Sequence, residues 1–263
     1  MTQSVGTSAL PLLALRGVSR NFGSLRAVDG VDLDIMAGRI SGLIGPNGAG
    51  KTTLFNLIAG TLAPSAGEIR FEGRRMNGLS PDRVFHQGLA RTFQVPRPFA
   101  QMTVLENLML AAERQAGERF WNNWIRPGLV REEERAVRER AFAVLEVCAL
   151  ADKAPNLAAE LSGGQQKLLE LARVLMIEPS LILLDEPAAG VNPALLETLV
   201  DRVQHLHRSG IAFLIIEHNM DLVMSVCDPV IVMMQGRVIL SGSPDTVRTD
   251  PRVVDAYLGE VTT

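Results

Sequence analysis

The sequence predicts an α/β fold, and three observations support this prediction. Short, almost wholly apolar runs at residues 181–184 and 211–216 are typical of central parallel strands covered on both faces. Residues 131–150 carry apolar side chains at helical spacing, and residues 165–176 do the same. A chain of 263 residues is also long enough to bury a full α/β core, with room for one smaller subdomain.

The individual elements follow in chain order. Residues 31–35 alternate between apolar side chains and aspartate, which is the period of a half-exposed strand. An apolar strand at residues 40–44 precedes a helix-compatible run at residues 53–59. Two apolar runs at residues 230–240 flank Gln-Gly and predict a hairpin. We expect an α/β core of residues 1–95 and 178–263, interrupted by a helical subdomain of residues 96–177.

Composition and charge exclude several classes of protein. The chain has 26 basic and 29 acidic residues, so its net charge of −3 gives no general electrostatic case for binding nucleic acid. Cys148 and Cys227 lie in apolar stretches and are expected to be core thiols in a reducing compartment. The N-terminal residues lack the basic segment of a signal peptide, and no run approaches the ~20 apolar residues that span a bilayer.

A phosphate-binding loop occupies residues 45–53, where the chain reads Gly-Pro-Asn-Gly-Ala-Gly-Lys-Thr-Thr between the predicted strand and helix. It fits the pattern Gly-x-x-x-x-Gly-Lys-[Ser/Thr]. The glycines let successive amide N–H groups curl around a polyphosphate, and the helix N-terminus behind them favours negative charge. Lys51 would reach the β- and γ-phosphates, and the Thr52 hydroxyl would bind Mg²⁺. We expect the nucleotide to be bound by Gly45, Pro46, Asn47, Gly48, Ala49, Gly50, Lys51, Thr52 and Thr53.

Two adjacent carboxylates, Asp185 and Glu186, follow the apolar run at residues 181–184. Ligand sites of α/β sheets form at the carboxyl ends of the strands. Asp185 would hold Mg²⁺, directly or through water, and Glu186 would polarise the attacking water as the general base. The alternative is a strand that ends in a solvated acidic turn, and the phosphate loop upstream makes that alternative the weaker one.

A second loop suited to anions opens the helix predicted at residues 165–176. The chain reads Leu-Ser-Gly-Gly-Gln-Gln at residues 161–166, which supplies a hydroxyl, backbone amides and a helix N-terminus. Taken alone, Ser-Gly-Gly is more often only a capped turn. The chain already has one phosphate loop. The motif by itself does not show whether this second loop binds a phosphate held by the same chain or by another molecule.

The order of these motifs resembles that of the ATP-binding subunits of ABC transporters, from about Leu13 to Gly259. The series runs from the phosphate loop through Gln94 in Arg-Thr-Phe-Gln, then Leu-Ser-Gly-Gly-Gln-Gln and Leu-Leu-Asp-Glu-Pro, to Glu217-His218. The resemblance implies a P-loop NTPase (RecA-like) core with an N-terminal antiparallel β subdomain and an inserted helical subdomain. It also implies an ATP hydrolase that uses ATP and Mg²⁺.

The same resemblance assigns roles to single residues. Phe22 matches the aromatic residue that stacks on the adenine. Gln94 matches the residue that senses Mg²⁺ and the γ-phosphate, and His218 matches the histidine that contacts the γ-phosphate and positions the water. In this family the signature loop closes on ATP held by a partner subunit, so that two subunits enclose two ATP molecules head to tail. The loop residues that would contact ATP in trans are Ser162, Gly163, Gly164 and Gln165.

Further segments resemble one branch of the family. Residues 96–107, 217–224 and 256–259 look like the ATPase subunits of high-affinity branched-chain amino-acid importers and of their amide and urea relatives. Members of this branch often have Tyr where this chain has Gly163. Many family members have Asp where this chain has Asn192, which keeps hydrogen bonding across the dimer but loses a charge.

The resemblance implies a cytoplasmic subunit that is peripheral on the inner face of the cell membrane. Separate permease subunits would span the membrane and contact a groove near residues 94–102. A second ATPase subunit, identical or different, would complete the dimer, and a substrate-binding protein would take part indirectly. Trp121 and Trp124 would either contact the membrane subunit or headgroups or, as we prefer, form a small core of the insert.

Two alternative functions remain beside amino-acid import. The first is the ATPase of a lipid or lipopolysaccharide extraction system, whose subunits are similar in length and motif order. The second is a soluble ABC-type ATPase acting on ribosomes or DNA. Proteins of that kind usually have two cassettes, long coiled coils or basic extensions, and this sequence has none of these. The transported substrate cannot be read from this chain, because the substrate contacts would lie on other chains.

Overall fold

The structure is a computed structural model that describes residues 10–92, 98–112 and 127–258. The chain divides into two compact units. The first contains the described residues of Met1–Leu89, Ser180–Leu183 and His207–Thr263, and the second those of Ala90–Pro179 and Leu184–Leu206. The division into a core of residues 1–95 and 178–263 and a helical subdomain of residues 96–177 stays a prediction.

The first unit contains an antiparallel sheet of four strands, in the order β2-β1-β4-β5. Alternate residues of β2 from position 31 to position 35 are buried and exposed, which confirms the period of two that the aspartates predicted. The expected N-terminal antiparallel subdomain is therefore present. Its strands, numbered along the chain, are β1 (Leu13–Phe22), β2 (Leu25–Ile35), β4 (Ala66–Phe71) and β5 (Arg74–Arg75).

The other sheet has six strands, in the order β10-β9-β3-β8-β7-β6. They are β3 (Ile40–Ile44), β6 (Leu89–Arg91), β7 (Leu181–Asp185), β8 (Ala212–Ile216), β9 (Val230–Met234) and β10 (Arg237–Gly242). Strand β3 pairs in parallel with β8 and β9, and β9 forms the predicted hairpin with β10. All residues of β3, β7 and β8 are buried, as expected for covered parallel strands. Because β3 and β8 are parallel neighbours, the loops that follow them leave the sheet at the same edge.

The helices of the described residues confirm the two long helical predictions. The helix predicted at residues 131–150 is α4, and its mixed charges form a solvated face with an exposed Arg135–Glu139 ion pair at 2.9 Å. The helix predicted at residues 165–176 is α5. The α-helices within the described ranges are α1 (Lys51–Ile58), α2 (Pro81–Phe85), α3 (Val104–Ala111), α4 (Pro127–Val147), α5 (Gly163–Leu175), α6 (Pro193–Arg208), α7 (Met220–Val226), α8 (Pro244–Thr249) and α9 (Pro251–Leu258).

A buried amide orders the loop that precedes α3 in the second unit. The Asn107 side chain is fully buried, and its Oδ1 accepts a hydrogen bond from the Phe99 N–H at 2.8 Å. Its Nδ2 donates to the carbonyls of Phe99 at 3.1 Å and Thr103 at 2.9 Å. Since a buried amide group must find partners, these bonds hold the loop in one conformation against α3.

The two cysteines have free, buried thiols, as the sequence predicted. Burial raises the pKa of the Cys148 thiol and of the Cys227 thiol to about 12, because an apolar environment disfavours the thiolate. The thiolate is the form of cysteine that reacts with electrophiles. Both thiols should therefore be inert in the folded chain at neutral pH.

We expect neither Cys148 nor Cys227 to be labelled by iodoacetamide in the native chain at about pH 8, where a free cysteine is partly thiolate. Both should be labelled once the chain is unfolded in denaturant, which serves as the control. Mass spectrometry of the labelled peptides measures each site separately. Native labelling at the rate of free cysteine would contradict the buried positions.

No helix within residues 10–92, 98–112 and 127–258 is long and apolar enough to cross a lipid bilayer.

Candidate nucleotide-binding site

The loop between β3 and α1 requires glycine at two of its positions. Gly45 has φ +151° and Gly50 has φ +100°, which are conformations that residues with side chains rarely adopt. A Cβ atom on Gly45 would overlap the carbonyl oxygen of Met233, and one on Gly50 would overlap that of Ala27. The backbone of this loop therefore curls in close contact with its surroundings, in the way a phosphate cradle requires.

Lys51 places a positive charge beside that loop. It is the first residue of α1 and is only 6% exposed. Its Nζ donates hydrogen bonds to the carbonyls of Gly45 at 2.6 Å and Pro46 at 3.0 Å. The neighbouring Thr52 side chain is exposed, and Gly50 caps α1 without a side-chain bond. A cation, a hydroxyl and a helix N-terminus are thus grouped in a loop that fits a polyphosphate with its Mg²⁺.

Residues after β8 form a second polar group in the first unit. Glu217 is buried, and its Oε2 accepts hydrogen bonds from the His218 N–H at 3.0 Å and the Asn219 N–H at 3.3 Å. The Asn219 side chain in turn caps α7 by accepting from the Leu222 N–H at 3.1 Å. These bonds fix the turn that presents the exposed His218 side chain.

Phe22 lies at the end of β1 and is 44% exposed, so its ring is accessible to a base. The Arg20 guanidinium lies over the ring, 4.8 Å from its centre. Gln94, Trp121 and Trp124 fall outside the described residues.

Asp185 ends β7 in the second unit and is paired with an arginine that the sequence analysis did not single out. Asp185 is 6% exposed, and its Oδ2 accepts a hydrogen bond from Arg91 on β6 at 2.7 Å. Breaking a buried ion pair by removing one partner costs about 3–5 kcal/mol. Arg91 therefore fixes the orientation of the Asp185 carboxylate.

Glu186 has an unusual backbone conformation. Its φ is +48°, in the left-handed region, which costs a residue with a side chain about 1–3 kcal/mol and persists only where the surroundings hold it. The Lys167 Nζ donates to the carbonyls of Glu186 at 3.0 Å, Pro187 at 3.0 Å and Ala189 at 2.6 Å. The sequence pattern gave no reason to single out Lys167, since a lysine on an amphipathic helix is ordinarily a solvated charge.

The signature loop begins α5 with a capping box. The Ser162 Oγ accepts from the Gln165 N–H at 3.4 Å, and the Gln165 Oε1 accepts from the Ser162 N–H at 2.9 Å. Because this N-cap sets the start of the helix, α5 begins at Gly163 and not at the first apolar residue. Ser162 and Gly163 are exposed, whereas Gly164 is buried. The loop thus presents its first two residues to solvent.

The two signature glycines differ in what surrounds them. A Cβ on Gly163 would meet no atom within 4 Å, whereas a Cβ on Gly164 would overlap the side chain of Leu195 and crowd Val191 at 3.2 Å. Gly164 therefore allows α5 to approach the start of α6. Asn192 caps that start, since its Oδ1 accepts from the Leu195 N–H at 2.9 Å, a bond that an aspartate would also make.

We expect Gly164→Ala to lower the free energy of unfolding by about 1–3 kcal/mol, because it forces a methyl group into a filled space. Gly163→Ala is the matched control, and it should leave that free energy unchanged or raise it slightly. Urea unfolding of both variants measures the difference. Equal stability of the two variants would contradict the close approach at Gly164.

Within the described residues, no group of three or more His, Cys, Asp and Glu side chains lies close enough to hold a metal ion.

Two family models match the chain. The model described as "ABC transporter" matches residues 28–189, and the model described as "Branched-chain amino acid ATP-binding cassette transporter" matches residues 237–262. Among similar proteins, the "Probable branched-chain amino acid transport ATP-binding protein LivG" of Methanocaldococcus jannaschii is 40% identical, over 95% of this chain and 98% of its own. The "High-affinity branched-chain amino acid transport ATP-binding protein BraF" of Pseudomonas aeruginosa is 40% identical over the same shares of the two chains.

Solved structures resemble the fold as a whole. The ADP conformation of an ATP-binding cassette of an ABC transporter has a TM-score of 0.82 and 39% identity, over 95% of this chain and 99% of that one. A nucleotide-free ATP-binding cassette gives a TM-score of 0.81 and 38% identity, over 94% and 99%. These matches confirm the P-loop NTPase fold, its ATP-binding character and the transport assignment of the motif series. The chain belongs to the ABC transporter family, as an ATP-hydrolysing cassette related to the branched-chain amino-acid transport ATP-binding proteins.

Proposed function

We propose that this chain supplies the ATP-driven power stroke of an importer for branched-chain or closely related amino acids. The observation that carries the proposal is the match of residues 237–262 to the branched-chain amino-acid cassette model, beyond the general ABC match at residues 28–189. Relatives named for branched-chain amino-acid transport, at 40% identity over 95% of the chain, support it.

The proposed site binds ATP through the loop at residues 45–53. Lys51 pairs with the β- and γ-phosphates, and the close backbone contacts at the loop glycines keep the cradle in shape. Thr52, Gln94 and Asp185 are the residues that would hold Mg²⁺, which would neutralise the charge of the phosphates when bound. Arg91 supports this role, because it fixes the Asp185 carboxylate at 2.7 Å.

In the hydrolytic step, Glu186 takes the proton of the attacking water and His218 helps to position that water. Phe22 stacks on the adenine. A second ATPase subunit contributes its own signature loop to the same ATP, through Ser162, Gly163, Gly164 and Gln165. The exposure of Ser162 and Gly163 supports a contact of this kind. Gly163→Ala, which is sterically permitted within the chain, should then weaken the ATP-dependent dimer.

The partners that we propose follow from the transport assignment. Separate permease subunits cross the membrane and dock on residues 94–102, and the ATPase lies on the inner face of the membrane as a cytoplasmic peripheral subunit. Phe99 in this segment is 47% exposed, and Asn107 holds its backbone in place. A substrate-binding protein delivers the amino acid to the permeases and meets this chain only through them.

Affinity purification of the tagged chain from gently solubilised native membranes tests the proposal. We expect two multi-span permease subunits to co-purify. A substrate-binding protein should either co-purify with them or be encoded beside them. If the co-purified permeases belong to a lipid-extraction system, the amino-acid assignment is wrong and the lipid alternative holds. Ribosomal or DNA-associated partners alone would overturn transport and leave the ATPase chemistry in place.

A further inference from the structure

The ammonium group of Lys167 donates hydrogen bonds to three backbone carbonyls of the turn that carries Glu186. The Lys167 Nζ lies 3.0 Å from the carbonyl oxygens of both Glu186 and Pro187 and 2.6 Å from that of Ala189. An ammonium has three N–H donors, so it can donate to all three carbonyls at once. All three acceptors belong to one turn, which makes Lys167 a clamp on the backbone of that turn.

This turn needs such a clamp because its conformation is strained. Glu186 has φ +48°, and within the turn its carbonyl also accepts from the Ala189 N–H at 3.1 Å. A residue with a side chain leaves the left-handed region unless its neighbours oppose the change. If the backbone at Glu186 relaxed, the carboxylate would swing away, since the direction of a side chain follows the backbone angles of its own residue.

The clamp comes from the signature helix. Lys167 lies on α5, five residues or about one and a half helical turns after Ser162, which caps the same helix. Gly164 on that helix approaches Leu195 and Val191, beyond the other end of the turn. The helix that presents the signature loop therefore contacts the catalytic turn through Lys167 and the segment that follows it through Gly164.

We propose that Lys167 is a positioning residue for ATP hydrolysis, which holds Glu186 in its catalytic orientation and ties that orientation to the position of the signature helix. The inference rests on the role of Glu186 as the general base in the proposed function. Lys167 itself contacts neither ATP nor water in this role. Its loss should therefore lower the rate of hydrolysis and spare the binding of ATP.

The test compares Lys167→Met with Lys167→Arg in the full-length chain. We expect Lys167→Met to lower kcat for ATP by about 10- to 100-fold, the effect of a base displaced by about an ångström, while KM changes by less than about threefold. Lys167→Arg keeps a cation with several donors and should recover most of the activity. Lys153→Met is the matched control, because Lys153 is a partly exposed lysine of the same unit paired with Asp152, and the kcat of this variant should equal that of the wild type.

Further measurements separate positioning from loss of fold. The carbonyls that Lys167 releases lie in a partly exposed turn where water can replace the bonds, so the thermal midpoint should fall by no more than about 5 °C. Binding of a fluorescent ATP analogue should match the wild type. In a Glu186→Gln background, Lys167→Met should cause no additional fall in single-turnover rate, since residues that act as a unit are not additive.

A wild-type kcat in Lys167→Met would overturn the proposal, and so would a fall in kcat that Lys167→Arg does not relieve. If Glu186→Gln loses turnover while Lys167→Met keeps it, the role of Glu186 stands and only the positioning role fails. If Glu186→Gln keeps full turnover, the base assignment fails and the positioning role fails with it.

Discussion

Replacing Glu186 with glutamine should leave ATP binding intact and lower ATP turnover by about 10²- to 10⁴-fold, the usual contribution of a general base. The amide has nearly the same shape as the carboxylate but cannot accept the proton of the attacking water. Lys167 donates to the backbone carbonyls of Glu186, Pro187 and Ala189, and the substitution keeps these three bonds. The variant should therefore lose catalysis and keep its fold.

In the proposed head-to-tail dimer, a variant that binds ATP without hydrolysing it should remain closed, so Glu186→Gln should also accumulate as an ATP-bound dimer. Size-exclusion chromatography with and without ATP measures this, and phosphate release measures turnover. Glu197→Gln on α6 is the control, because it removes an exposed carboxylate of the same unit and should behave as the wild type in both assays. Unimpaired turnover by Glu186→Gln would remove Glu186 from the base role.

Replacing Lys51 with alanine should abolish measurable hydrolysis, and it should weaken ATP binding by about 10- to 100-fold, the value of a lost charge-assisted hydrogen bond. The Lys51 side chain is buried beside the loop and is already directed by the carbonyls of Gly45 and Pro46. The phosphates would lose a cation that the protein has placed in advance.

Titration with a fluorescent ATP analogue measures the affinity of the Lys51 variant. Lys153→Ala is a suitable control, since it removes a partly exposed lysine that has no part in the loop. Circular dichroism should show the same fold in both variants. Wild-type ATP affinity in Lys51→Ala would contradict the assignment of this loop as the phosphate site.

The sequence predicts most of the fold because local patterns carry the relevant physics. All five residues of β3 are buried, and the alternation in β2 matches its two faces, since burial of these strands follows from period and composition. Gly45 and Gly50 lie where a side chain would collide with the backbone of neighbouring residues. The glycines of the motif at residues 45–53 are therefore required by steric fit as well as by phosphate binding.

The parts that the sequence did not predict depend on contacts between distant residues. Arg91 and Asp185 are 94 positions apart, and the pattern around Arg91 gives no sign of an acidic partner. The sequence spacing of Lys167 is that of a solvated helix residue, and only the structure shows that it contacts the turn at Glu186. Gly163 and Gly164 look equivalent in the motif, and only the position of Leu195 distinguishes the open glycine from the packed one.

The most direct test of the central claim is amino-acid accumulation in proteoliposomes. The complex that co-purifies with this chain would be reconstituted with its substrate-binding protein, and uptake of radiolabelled leucine, isoleucine and valine would be followed with ATP on the side of this subunit. We predict accumulation that requires ATP and is lost with Glu186→Gln. ATP hydrolysis by the wild-type complex without accumulation of any of these amino acids would contradict the account.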